Sequence, residues 1–180
     1  MKVKSFLKRF PDACAPAVNW MRENSIDLME DAWDRCERSD WMLWTLQVLK
    51  FNDKFLWVRM AIAFAERVLH IYEEKYESDA PRKAIEAAKA WIEHPTEENR
   101  MKCRRAADAA DAYADAAYAD VAAAAYAADA AAAADDAADA AYAAYAADAA
   151  VDAAVADDER KAQADIIRSL IKNPFIKKED

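Results

Sequence analysis

Not one of the 180 residues is glycine. A chain without glycine lacks the usual residue for positive φ, which argues against P-loops, Rossmann turns and tight two-residue hairpins. An all-helical fold is therefore expected. The three cysteines, Cys14, Cys36 and Cys103, are odd in number, show no CxxC spacing and follow no secretion signal. That pattern fits a reducing cytoplasm. Two histidines, His70 and His94, are too few and too far apart in sequence to suggest a metal site, and no permanent cofactor is expected.

Between residues 106 and 158 the chain uses only Ala, Asp, Tyr and Val, with twelve Asp and no Lys or Arg. Alanine has the highest helix propensity and nothing here breaks a helix, so the tract is expected to be helical. As one rod it would be roughly 80 Å long at about 1.5 Å per residue, a poor fit to the rest of the chain. The expectation is a hairpin that reverses between Ala130 and Asp136, with Asp135 or Asp136 capping the second helix. Asp108, Asp111 and Asp115 fall at i, i+3 and i+7, with Tyr118 continuing their face, so one side of the first helix is acidic and wet. Alanines elsewhere allow close helix packing, and small-residue faces make a homo-oligomer conceivable. Tyr113, Tyr126, Tyr142 and Tyr145 read as bulky fillers whose hydroxyls want partners. Each window of about twenty residues holds several Asp, each costing roughly 2.5–3.5 kcal/mol at a bilayer centre, which excludes a membrane span.

The net charge of −9 is split unevenly: residues 1–105 carry 19 basic and 18 acidic side chains, whereas 106–180 carry 6 and 16. An acidic tract of this kind argues against direct nucleic-acid binding. With 56 % hydrophobic residues the chain is read as one domain spanning 1–180. Its parts are a Trp/Arg-rich half over 1–105, the alanine tract over 106–158, and a C-terminal helix over 159–175. In the first half a basic amphipathic helix ends at Pro11, and Pro16 opens the next. Trp33, Cys36, Trp41, Leu43 and Trp44 are dense enough to form a core, with Ser39 or Asp40 capping a helix from Trp41. Asn52 and Asp53 precede a long helix over Lys54 to Tyr76, with Phe55, Val58, Ile62, Ala65, Leu69 and Tyr72 on an approximate inner stripe. A further helix covers Arg82 to Ile92. Arg100, Lys102, Arg104 and Arg105 are the densest basic cluster, and a last helix runs from Asp157 to Ile171.

The segment AWDRCERSDWMLW from Ala32 to Trp44, with Arg59, FAERVLH from Phe64 to His70, the Ala/aromatic repeat and NPF from Asn173 to Phe175, resembles immunity proteins of the immunity-five-like type from bacteria and phages. The resemblance implies a part in phage–bacteria conflict. Two mechanisms would deliver it. In one, the protein is a non-catalytic sponge for a small nucleotide immune signal. Arginines would meet phosphates and tryptophans would stack on bases, the candidates being Arg35, Arg38, Trp41, Trp44, Arg59, Arg67, Arg100 and Arg104. The blander alternatives stay open: Trp41 and Trp44 as core, and Arg38 paired with Asp34 or Asp40. In the other mechanism, Asp108, Asp111, Asp115 and Tyr118 bind a basic toxin or defence protein. An enzyme is not expected, because Cys36 with His70 lacks an orienting third residue and no Glu-x-x-His pattern appears.

Overall fold

A computed structural model describes residues 1–74, 76–117 and 157–176. The fold is all-α, with eight helices among the described residues: α1 (Val3–Arg9), α2 (Ala15–Glu23), α3 (Met29–Arg35), α4 (Ser39–Val48), α5 (Lys54–Glu73), α6 (Ala80–Glu93), α7 (Glu97–Ala117) and α8 (Asp157–Leu170). No described helix is long and apolar enough to cross a membrane. The expected reversal between Ala130 and Asp136, with Tyr118, Tyr126, Tyr142 and Tyr145, lies outside the described residues, and so does the side chain of Tyr113.

The missing glycine leaves a visible mark where helices end. Ser25 and Lys50 hold φ of 53° and 55°, the left-handed position that glycine usually fills after a helix. Ser25 N–H donates to Arg22 O and Ile26 N–H to Met21 O; Lys50 N–H donates to Gln47 O and Phe51 N–H to Leu46 O. Each pair of bonds is a Schellman cap closing α2 or α4, with an apolar residue following the left-handed one. These caps form despite the cost of about 1–2 kcal/mol that the left-handed region imposes on a residue with a Cβ.

Helix α5 is the central stave. Asp53 caps it by accepting from Leu56 N–H at 3.1 Å, and it buries ten side chains, among them Trp57, Val58, Phe64 and Tyr72. The Trp57 indole N–H reaches Phe51 O at 3.0 Å, so this fully enclosed ring leaves no orphaned donor. α6 packs on both α5 and α7, while α8 lies across α4 and α5. A second, smaller core of Tyr72, Ala84, Ala107 and Ala110 joins α5, α6 and α7 through alanines.

Several boundaries differ from the sequence reading. α5 stops at Glu73, before Tyr76, and α6 begins at Ala80. α7 starts at Glu97, so the basic cluster and the first alanines share one helix. Neither Ser39 nor Asp40 caps a helix from Trp41: α4 begins at Ser39, and its N-cap Arg38 makes no side-chain cap. Ser39 is instead fully buried and donates its hydroxyl to Gln163 Oε1 on α8 at 2.8 Å, while Asp40 receives Arg38.

Candidate functional site

The N-terminal helices do not close completely on one another. They leave a partly open cleft of about 220 Å³ between α2, α3 and α4, with Phe6 of α1 and Phe175 from beyond α8 among the groups lining it. Phe6, Trp20, Trp33, Trp41, Trp44 and Phe175 form much of its wall. Trp20 and Trp41 stand 5.8 Å apart between centroids at 56°. Phe6 links two further lining rings, edge-on to Trp44 at 6.1 Å and to Phe175 at 5.7 Å. These are favourable offset geometries, and they hold the rings in place without filling the space between them.

Polar groups at the cleft are few and mostly engaged. The Arg38 guanidinium donates to both Asp40 oxygens at 2.8 Å and lies over the Trp41 ring, 5.0 Å from its centroid. Planar bidentate pairing and stacking on an aromatic face are both available to arginine and not to lysine. The Thr45 hydroxyl donates back to Trp41 O at 2.8 Å. The Cys36 thiol donates to Arg38 O at 3.4 Å, and burial pushes it up to about 11. A thiol held in its neutral form is a poor nucleophile. The other cysteine on the lining, Cys14, is exposed.

The C-terminal segment is fastened to this side of the molecule. Arg168 of α8 donates to Cys36 O at 2.6 Å and to Trp33 O at 3.4 Å. The Asn173 amide donates to Glu30 O at 3.0 Å and Asp34 Oδ1 at 2.9 Å, while its Oδ1 accepts from Phe175 N–H at 3.1 Å. That turn swings the Phe175 ring under Phe6. The NPF sequence thus works as a hook on α3.

The candidate residues named from the sequence do not form one site. Trp41 and Trp44 line the cleft, and Arg38 covers the outer face of Trp41. Arg35 is exposed at the end of α3, with Nη2 3.5 Å from Asn24 Oδ1. Arg67 pairs through two hydrogen bonds with Glu159 of α8, and Arg100 pairs with Glu97 at 2.8 and 2.9 Å. Arg59 and Arg104 are exposed on α5 and α7. Among the described residues no lysine or arginine is on the cleft lining, and its charged members are Asp12 and Asp40. On the proposed partner face Asp108 is exposed, the Asp111 and Asp115 side chains are outside the described part, and Tyr118 is outside it altogether. Sequence reasoning left Phe6, Asp12, Trp20 and Phe175 out of the candidate set. Phe175 had drawn notice within NPF. Among the described residues no three His, Cys, Asp or Glu converge on a metal position.

The chain belongs to the Family of unknown function (DUF6931), which matches residues 45–172. No curated protein and no solved structure matches it. Thr45 alone of the cleft lining falls within the matched residues, whereas α5, α6, α7 and α8 all do.

Proposed function

We propose that this protein is a non-catalytic binding protein that captures a small nucleotide-type molecule and withholds it, with the base held in the cleft against Trp20, Trp41 and Trp44. The observation that carries this reading is the aromatic cleft itself: concave, walled by rings fixed at useful angles, and ringed by very few polar groups. Stacking against such rings supplies roughly 1–3 kcal/mol per base, which suits capture without chemistry. Arg38, laid over Trp41, is the cation best positioned to meet a phosphate outside the cleft, in exchange for part of its pairing with Asp40. The raised thiol of Cys36 and the exposed position of His70 on α5 count against a Cys–His hydrolase. The resemblance to immunity proteins supplies the setting: a sponge acting in the cytoplasm during phage–bacteria conflict.

The test is to incubate the purified protein with a panel of nucleotide defence signals, remove free ligand and heat the complex. Recovery of one compound unchanged, with quenching of tryptophan fluorescence on binding, supports sequestration. Recovery of an altered product, or failure of every compound to bind, defeats it. A second reading, neutralisation of a basic toxin or defence protein through the acidic face, draws on the exposure of Asp108 opposite the buried Ala107 and Ala110. Partner capture lost in Asp108→Lys but retained in Trp41→Ala would favour it.

A further inference from the structure

The size and the charge of the cleft bear on which part of a ligand it holds. At about 220 Å³ it is smaller than the roughly 300–1,000 Å³ of pockets that enclose drug-sized ligands, so it has room for one ring system. Among the described residues its two charged lining groups, Asp12 and Asp40, are both acidic; Asp40 already accepts from Arg38 at both oxygens, each of which keeps a further lone pair. A phosphate drawn into the cleft would be stripped of water beside the Asp12 carboxylate, with no described cation on the lining to receive it. A carboxylate accepts hydrogen bonds and does not donate them when ionised, so it recognises groups that present N–H. A purine with adjacent N–H donors on its pairing edge, as guanine has, offers both the face that the tryptophans stack and the edge that a carboxylate reads. Adenine offers the same face, but its pairing edge opposes a ring-nitrogen lone pair to the carboxylate.

Resting on the sequestration reading above, we propose that the cleft recognises its ligand by the ring and not by the phosphate, taking a guanine-type base whose N–H edge meets Asp12 and Asp40 while any phosphate stays outside by Arg38. Phosphate content then changes affinity little, and base identity changes it a great deal. Salt dependence is shallow for the same reason, since few ionic contacts form on binding.

Titration of the full chain with guanosine, adenosine, guanosine monophosphate, inorganic phosphate and tetramethylammonium, read by tryptophan quenching, tests this. Guanosine should bind at least about tenfold more tightly than adenosine, with guanosine monophosphate close to guanosine and no response to phosphate alone. Asp12→Asn, on an exposed loop, and Asp40→Asn should each shrink that ratio, with thermal melts showing that both variants are folded. Equal affinity for the two nucleosides, an unchanged ratio in both variants, or quenching by tetramethylammonium in place of guanosine overturns the proposal. Nucleotides that bind without base preference and with steep salt dependence remove the ring-first assignment but leave sequestration standing. If neither nucleosides nor nucleotides bind, both fall.

Discussion

The two ends of α5 meet their neighbours in opposite ways. Near its start Phe55 stacks on Trp91 of α6 with centroids 5.2 Å apart and Trp57 meets Phe51 edge-on at 6.0 Å, and the aromatic cleft lies beyond them between α2, α3 and α4. Near its end Tyr72 stacks on Tyr76 and meets Ala84, Ala107 and Ala110, whose small side chains leave little to fill. Side-chain size therefore divides the molecule. Large rigid rings hold shape and enclose space, whereas alanines bring backbones together and exclude it.

The strongest way to break this contrast is to empty the aromatic side. Phe6 is only 1 % exposed and joins Trp44 to Phe175, so Phe6→Ala should cost about 3–5 kcal/mol in denaturant unfolding and abolish tryptophan quenching by ligand. Overfilling the alanine side comes next. Ala84→Leu or Ala110→Leu, at positions with no exposed surface, should cost about 1–3 kcal/mol, whereas Ala17→Leu in the cleft should change stability by less than about 0.5 kcal/mol and block binding. Equal losses at Ala84 and Ala17 would mean that the two regions are packed alike.

Alkaline titration probes the larger core, which holds both buried thiols. Burial raises Cys36 and Cys103 from 9.0 to about 11, so the unfolded chain gives up these protons first. Stability that is intact below about pH 9 should decline as pH rises towards about 11, and Cys36→Ala with Cys103→Ala should flatten the decline. The smallest expected effect is a gain. Lys50→Gly relieves the left-handed cap of α4 and should stabilise the fold by roughly 0.5 kcal/mol, after subtracting the entropy glycine loses on folding. A thermal melt that does not rise would show that this cap is not strained.

Helices were legible in the sequence wherever local rules decide them. The inner stripe Val58, Ile62, Ala65 and Leu69 and the Asp53 break marked α5 because periodicity and capping act within a few residues. The start of α4 was misread because Ser39 forgoes a local cap for a partner 124 residues away. Distance in sequence also hid the site. Trp41 and Trp44 were visible as aromatic neighbours, but Trp20 and Phe175 join them only through the tertiary fold, and Arg67 was spent on Glu159, 92 residues on. A basic residue recognised by type alone says nothing about which carboxylate claims it first.

The hook formed by Asn173 and Phe175 sets an order of events during synthesis. A ribosome that has finished α1–α5 has made nearly every wall of the cleft, yet the last one emerges only after the whole alanine tract and α8 have been translated. Chains stalled in the low-complexity stretch would carry the tryptophans but not Phe175, and their cleft would lack that wall.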